Sequence, residues 1–428
     1  MWIRDGEGFR ATGSRAVRIV LLMVVASWLG ACNEIDTTQS AEAPAGELAP
    51  GLVERAEAGE VDAQLAVGFF YQTAANHQSE DSTRARSQAE ALQWFTLAAE
   101  QDDPIAQAEL GLMLVTAEGN LRNLTEGRRW LTRAGEAGQA AALFMLGDLS
   151  QRGEDDPPNP VMAVRFWKEA MALGHTGALH RLAQAHEEGL GVDPDPEVAI
   201  GFYREASERG YQISQYRLAV IYDEGVLTPR DAREAVNYYR LAAEQGYAPA
   251  QAQLGYLYAR GDGVIQRYDE ALRWSQTAAE QGDADGCNNL AVLYLKGFGV
   301  EQSFEEALRW YRLAAQRHHP GAQNMLGTIY LTGQGVTIDA NEAEHWWRMA
   351  AEQGYAAAQY NLGGMYSRKV STTLDREEAL DWLGRAAEQG HRSAARELAE
   401  LQATASAAAA EVSRETTSAL EEPARTTL

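Results

Sequence analysis

Residues 322–354 read AQNMLGTIYLTGQGVTIDANEAEHWWRMAAEQG, and related copies of this stretch recur along the chain with a step of 36 residues. A leucine keeps that step at Leu110, Leu146, Leu182, Leu218, Leu254, Leu290, Leu326, Leu362 and Leu398. An aromatic residue keeps it at Trp94, Trp130, Phe166, Phe202, Tyr238, Trp274, Trp310, Trp346 and Trp382. Two independent registers with one period predict a solenoid of repeated supersecondary units.

Each copy contains two helical patterns joined by a glycine-containing turn. In one copy Ala250, Leu254 and Leu257 fall on one face of a first helix, and Ala271 and Trp274 begin the same spacing in a second. The Gly-x-Gly-Val segment between them supplies the positive φ that ends the first helix. Another glycine follows the second helix at the same step, except at 102 and 318. Aspartate and histidine stand there, and both types are enriched in the left-handed region.

The pattern Ala-x-x-x-Leu-Gly-x-x-Tyr, Gly-x-Gly-Val, Ala-x-x-Trp-x-x-x-Ala resembles the Sel-like repeat family, relatives of tetratricopeptide repeats. One unit matches it at Ala322, Leu326, Gly327, Tyr330, Gly333, Gly335, Val336, Ala343, Trp346 and Ala350. The resemblance covers about residues 56–402. It implies an all-α fold, a right-handed α-solenoid of about nine 36-residue helix-turn-helix repeats plus a C-terminal capping helix.

Departures from the repeat are local. The step from Val67 to Leu110 is 43 residues, so residues 74–86 are interpreted as an insertion in the first interhelix loop. We expect Pro157, Pro158 and Pro160 to remodel the third loop. The solenoid is placed at residues 51–402, with residues 387–402 as its closing helix. Residues 403–428 are low in complexity and are predicted to be disordered.

The N-terminal segment has the features of a bacterial lipoprotein. Residues 1–31 place arginines before an apolar run of about 13 residues, typical of a signal peptide and shorter than a membrane span. Leu29-Gly30-Ala31-Cys32 resembles a lipobox, which implies lipidation of Cys32. An ordinary cleavage site with an incidental cysteine, or a translation start placed too early, is the alternative. Residues 32–50 then form a flexible tether, and Asn33 favours outer-membrane anchoring with the array facing the periplasm.

Charge and cysteine content limit the possible partners. The chain has 37 basic and 61 acidic residues, a formal net charge of −24, which repels nucleic acid. Cys32 and Cys287 are the two cysteines, so no paired-cysteine zinc motif exists. No metal and no cofactor are predicted.

No catalytic motif is found, and we predict that the protein is not an enzyme. His186 lacks the second histidine of a zinc-peptidase motif, and His318 and His319 are interpreted as a surface-loop pair. The serine-hydrolase motifs G-x-S-x-G and S-x-x-K are missing. Cys287 has no neighbouring cation and is interpreted as a partly buried packing residue. Some cysteine-rich members of the family have been proposed to act on β-lactams, but their disulfide framework is absent here.

The candidate binding residues lie just before the repeated leucine, on the first helix of each unit. By analogy with tetratricopeptide arrays these residues line a concave groove suited to a peptide or a sugar polymer. The alternative is that they hydrogen-bond to neighbouring helices. The candidates are Arg181, Tyr216, Arg217, Gln253, Asn288, Asn289, Asn324, Tyr360 and Asn361.

These features predict a non-catalytic scaffold that is lipid-anchored in the bacterial envelope and binds partner proteins there. One alternative is an outer-membrane lipoprotein that assists exopolysaccharide export, since the alginate-secretion lipoprotein has a similar lipobox, length and repeat array. A periplasmic hydrolase is a further alternative, although no nucleophile–base pair supports it. A factor displayed outward to contact host proteins would differ only in the side of the membrane that the array faces.

Overall fold

The computed structural model describes residues 48–77, 81–154, 156–368, 373–404 and 406. The described residues divide into two compact units that meet between Arg122 and Asn123. The first unit contains α1 (Leu52–Glu57), α2 (Val61–His77), α3 (Asp81–Ala99), α4 (Pro104–Thr116) and a 3-10 turn (Gly119–Leu121).

The second unit contains the other helices. These are α5 (Leu124–Glu136), α6 (Ala140–Arg152), α7 (Pro160–Ala172), α8 (Thr176–Glu188), α9 (Pro196–Glu208), α10 (Gln212–Glu224), α11 (Ala232–Glu244), α12 (Ala248–Arg260), α13 (Tyr268–Glu280), α14 (Ala284–Lys296), α15 (Phe304–Gln316), α16 (Pro320–Thr332), α17 (Ala340–Glu352), α18 (Ala356–Arg368), α19 (Thr373–Glu388) and α20 (residues 392–404).

The predicted all-α repeat architecture is confirmed, and no strand occurs among the described residues. Even-numbered helices from α2 to α18 are the first helices of their repeats, and the following odd-numbered helices are the second. Within the second unit, each helix from α5 to α18 packs on the helix that follows it. First helices also contact one another directly, as α12 and α14 do. Each repeat therefore buries its apolar face against its neighbours, as a solenoid requires.

Second helices begin at polar residues for a local reason. A side-chain oxygen at the N-cap accepts a hydrogen bond from an otherwise unpaired backbone N–H of the first turn. This bond is formed by Asn123, Asn159, Asp195, Asp231, Ser303 and Asp339.

The turns also follow the sequence prediction. Asp102 and His318, which replace the glycine after the second helix, have φ of 63° and 62°. Both therefore adopt the left-handed conformation, as predicted. Gly263, in an interhelix turn, has a φ of 71°, and a Cβ there would collide with the backbone carbonyl of Ala232. Glycine is required at that position by its conformation and by the close approach of the start of α11 in the preceding repeat.

The core pairs residues of complementary size. The aromatic residues that carry the 36-residue step do pack on the core, but the most deeply buried column lies one residue later. Trp167, Tyr203 and Tyr311 in that column are almost fully buried. A tryptophan there faces a glycine of the first helix, since a Cβ on Gly147 would contact Trp167. The glycine leaves the space that the indole fills, as dense packing requires.

A chain of glutamines links consecutive repeats. Gln251 Nε2 donates to the carbonyl of Ala243 at 3.0 Å, and Gln281 Nε2 donates to Gln251 Oε1 at 2.7 Å. The same two bonds recur around Gln64, Gln215, Gln323 and Gln359. Each glutamine gives a second hydrogen bond to a carbonyl at the end of the preceding helix, which already accepts one from a backbone N–H of the turn, as Ala243 does from Gly246.

The predicted loop insertion is wrong in its secondary structure. Residues 74–77 belong to α2 and residues 81–86 to α3, which are 17 and 19 residues long against 13 in most other repeat helices. The 43-residue step exceeds the period by seven residues, which is close to two helical turns at about 3.6 residues per turn. A helix lengthened by whole turns keeps the same face towards the core. In the third loop, Asn159 N–H donates to Ser150 O at 2.8 Å. The corresponding bond from Asp195 to the carbonyl of His186 closes the next loop, so the prolines leave this closure intact.

The ends of the solenoid differ from the prediction by a few residues. The closing helix α20 spans residues 392–404 and does not begin at 387, because Gly390 has a φ of 88° and separates it from α19. At the other end, Leu48 already packs on Ala56, Ala63 and Val67. The predicted signal peptide, Cys32 and most of the predicted tether lie outside the described residues, as does nearly all of the predicted tail. None of the described helices combines the length and apolar composition of a membrane span.

Candidate binding surface

The nine candidate residues occupy two adjacent columns on the first helices of the second unit. Residues four positions apart lie on one face of a helix. The column that contains Asn288 therefore continues, one helical turn later, into the position held by Tyr256 and Val292. Their side chains are 41% and 37% exposed. We call this surface the first-helix face.

Two arginines of this face are held in ion pairs with the preceding repeat. Arg181 Nη2 lies 2.9 Å from Asp148 Oδ2. Arg217 Nε lies 3.2 Å from Glu187 Oε2, and its Nη2 contacts the other carboxylate oxygen. The Asp148 and Glu187 side chains are only 8% and 9% exposed, so the arginines compensate buried charge. Their guanidinium groups are therefore engaged within the protein.

Three asparagines bridge repeats in a similar way. Asn289 Nδ2 donates to the backbone carbonyl of Ala252 at 3.0 Å. Asn361 Nδ2 donates to Asn324 Oδ1 at 2.8 Å, and Asn324 is itself buried. For these residues the structure shows the inter-helix bonds that were the alternative to ligand contact. Their role in binding stays a prediction.

The two tyrosines among the candidates pack beneath a column that sequence reasoning missed. Tyr216 forms an edge contact with Tyr247 at 5.3 Å between ring centroids, and Tyr360 stacks on His391 at 4.6 Å. Tyr247 is the N-cap of α12, and the equivalent N-cap position keeps the 36-residue step. It is held by His175, Tyr211, Tyr247, Asp283, His319, Tyr355 and His391. The recurrence of aromatic and histidine residues at this 36-residue step was the sequence feature that could have revealed this column.

Gln253 and Asn288 are the remaining candidates. Both side chains are half-buried, and neither has a hydrogen-bond partner within the described part of the chain. Their amide groups are thus the most available of the nine for a ligand.

The N-cap column becomes acidic at α14. Asp283 accepts a hydrogen bond from Gly286 N–H at 2.7 Å, and burial raises the pKa of its carboxyl. His319 Nδ1 accepts from Ala322 N–H at 2.9 Å, which leaves Nε2–H to donate to Asp285 Oδ1 at 3.0 Å. The prediction that His318 and His319 form a surface pair is therefore wrong for His319, whose ring is buried as a helix cap.

The repeat register and the helix pairs are matched by one family model over most of the chain. The model, described as the Sel1 repeat, fits nine consecutive segments: residues 61–103, 104–139, 140–175, 176–211, 212–247, 248–283, 284–319, 320–355 and 356–391. The chain belongs to the Sel1 repeat family. Proteins built from such repeats are generally scaffolds for protein interaction.

Two solved structures support this assignment. A protective antigen present in uropathogenic Escherichia coli strains, which displays the same fold, is 29% identical with a TM-score of 0.62, over 82% of this chain and 74% of that one. A Sel1 repeat protein from Oxalobacter formigenes is 28% identical with a TM-score of 0.54, over 85% of this chain and 98% of that one. No curated protein matches the chain significantly.

Cys287 of the Sel1 array occupies a position held by glutamine in six other repeats. Its side chain is fully buried, and its Sγ lies 3.9 Å from the carbonyl of Ala279. Burial raises the pKa of the thiol, which favours the unreactive protonated form. Cys287 is thus a packing residue, as predicted, and more deeply buried than expected. Among the described residues no group of three or more potential metal ligands occurs.

Proposed function

We propose that this Sel1 protein is a non-catalytic scaffold, lipid-anchored at Cys32 in the bacterial envelope, that presents its first-helix face to partner proteins. Outer-membrane anchoring with the array facing the periplasm is part of the proposal. The observation that carries it is the face itself, where the half-buried amides of Gln253 and Asn288 lie beside the exposed side chains of Tyr256 and Val292 in consecutive repeats. Aromatic rings with adaptable hydrogen-bonding groups are typical of surfaces that bind polypeptides.

The experiment is a pulldown from cross-linked cell envelopes in mild detergent. The face variant is Gln253→Ala with Asn288→Ala, because these two amides make no hydrogen bonds on which the fold depends. The matched control is Asn237→Ala with Gln276→Ala, which removes two exposed amides from second helices. We expect a defined set of proteins with wild type and control, and its loss with the face variant. If wild type recovers no proteins, the proposed scaffold function is contradicted. If wild type, control and face variant recover the same proteins, the first-helix face is not the binding surface.

The anchor is tested separately with Cys32→Ala. We expect this variant to leave the membrane fraction, because the proposal assigns the membrane affinity to acyl chains attached to Cys32. Retention in the membrane fraction would show that membrane attachment does not depend on this cysteine.

A second candidate is display on the cell surface towards host proteins. It is favoured by the similarity to an E. coli protein described as a protective antigen. Protease cleavage of the array on intact cells would place it outside, whereas cleavage only after permeabilisation would keep it in the periplasm. The exopolysaccharide alternative is disfavoured for acidic polymers, because a net charge of −24 repels them.

A further inference from the structure

At the N-terminal end of α14, the charge that remains on the first-helix face is negative. Arg181 and Arg217 are neutralised by carboxylates of the preceding repeats. Asp283 forms no ion pair within the described residues, and Asp285 contacts only the imidazole of His319. Because that ring donates its single proton from Nε2 while neutral, Asp285 keeps its charge uncompensated.

Aromatic rings lie next to these carboxylates. Tyr216 packs edge-on against Tyr239 and Tyr247, at 5.7 and 5.3 Å between ring centroids. Tyr247 and Asp283 are the N-caps of α12 and α14, two first helices that contact each other, so ring and carboxylate are neighbours in one column. Burial raises the pKa of Tyr216, and the charges of Tyr247, Asp285 and Asp283 act in the same direction. We name Tyr216, Tyr247, Asp283 and Asp285 the tyrosine–aspartate patch.

The patch continues into an exposed apolar strip. Tyr256 and Val292 lie one helical turn further along α12 and α14, in the same column of consecutive repeats. Arg260 and Lys296 follow in the last turns of the same helices, and the Arg260 guanidinium lies 5.3 Å from the centroid of the Tyr256 ring. A basic ligand would therefore be held at the patch and the adjoining apolar surface, and not at the C-terminal ends of these helices.

We propose that the tyrosine–aspartate patch binds an extended, basic segment of a partner protein through its lysine or arginine side chains. This inference rests on the proposed scaffold function and names the class of partner. Carboxylates bind ammonium and guanidinium groups through charge-assisted hydrogen bonds, and the faces of tyrosine rings bind them through cation–π contact. The net charge of −24 adds long-range attraction for such a segment.

The test uses a fluorescent lysine–alanine peptide of about ten residues, which spans roughly 33 Å when extended. Its counterpart is a glutamate–alanine peptide of equal length. The patch variant is Asp283→Asn with Asp285→Asn. Asparagine is as good an N-cap as aspartate and still accepts a hydrogen bond from His319, so the fold is preserved.

The control variant, Asp231→Asn with Asp339→Asn, removes the same two charges from N-caps of second helices. We expect about five- to twentyfold weaker binding of the basic peptide by the patch variant. The control should change binding less than about twofold, because exposed charges beyond a Debye length are screened. The acidic peptide should not bind.

Three results of the peptide assay would overturn the inference. In the first, both variants weaken binding of the basic peptide equally, which would mean non-specific attraction. The other two results are that neither variant weakens binding, and that the acidic peptide binds better than the basic one. The scaffold is judged separately, since envelope partners recovered equally by wild type and the patch variant would leave it standing while the basic-segment inference fails. Recovery of only a second copy of this chain, by the wild type but not by the patch variant, would also overturn the assignment to a partner protein.

Discussion

At the scale of single residues, Gly327 shows how closely the repeats are packed. A Cβ at this position would lie 2.5 Å from Trp347 Cδ1 and 2.6 Å from its Nε1. The indole is 4% exposed and donates to the carbonyl of Asn324 at 3.1 Å, so it has no free direction in which to move. We predict that Gly327→Ala lowers the free energy of unfolding by about 1–3 kcal/mol, measured by urea denaturation.

The matched substitution is Gly201→Ala on α9. No atom lies within 4 Å of a Cβ at that position, and the residue is exposed in a helix interior. Alanine should therefore stabilise by about 0.5–1 kcal/mol through helix propensity. Destabilisation of similar size by both changes would mean that helix backbone effects, and not the contact with Trp347, explain the loss.

Two buried histidines make stability depend on pH. Burial lowers the pKa of His175 to about 4, and burial with the nearby charges of Arg181 and Arg217 lowers that of His180 to about 3. In the unfolded chain both titrate near about 6.5, so as the pH falls the unfolded state binds these protons first. Their contribution is fully present above about pH 6.5 and declines towards the folded pKa values.

The corresponding variant is His175→Gln with His180→Asn, residue types found at the same positions of other repeats (Gln139 and Asn324). We predict that wild type loses more stability than this variant between pH 7 and pH 5, by at most about 1.4 kcal/mol per pH unit and histidine. Urea midpoints at both pH values measure the difference. Parallel pH profiles would show that these imidazoles do not cause it.

At the scale of helices, the N-cap determines where each second helix begins. Asp339 accepts from the backbone N–H groups of Asn341 and Glu342 at 2.9 and 3.1 Å. We predict that Asp339→Ala costs about 1 kcal/mol of unfolding free energy, whereas Asp339→Asn costs only a few tenths. Thermal or urea unfolding of the two variants checks this. If asparagine destabilised as much as alanine, the charge at the helix N-terminus would matter more than the hydrogen bond.

At the scale of the whole molecule, α20 covers the apolar end of the second unit. Leu398 and Leu401 pack on Leu383, Ala386 and Ala394. We predict that a chain ending at residue 390 self-associates, because the end of a solenoid without its cap exposes apolar surface. Light scattering coupled to size exclusion measures the mass. A chain ending at residue 406, which keeps α20, is the control and should behave as full length.

The sequence by itself determined the period, the helix pairs, the left-handed turns at Asp102 and His318 and the identity of the family. These features depend on local spacing and on backbone conformation, which a few neighbouring residues specify. It did not determine that the insertion after Val67 lengthens two helices, since loop and helix residues look alike in a polar stretch.

Only the tertiary structure decided which candidate residues are available to a ligand. Arg181 and Arg217 meet carboxylates 33 and 30 residues earlier in the chain, and Asn361 meets an asparagine 37 residues away. Such pairings depend on how one repeat stacks on the next, which sets distances that no local pattern contains. The same stacking brings Tyr216 into contact with Tyr247, which shares its N-cap column with Asp283, and so creates a surface whose chemistry differs from that of the separate residues.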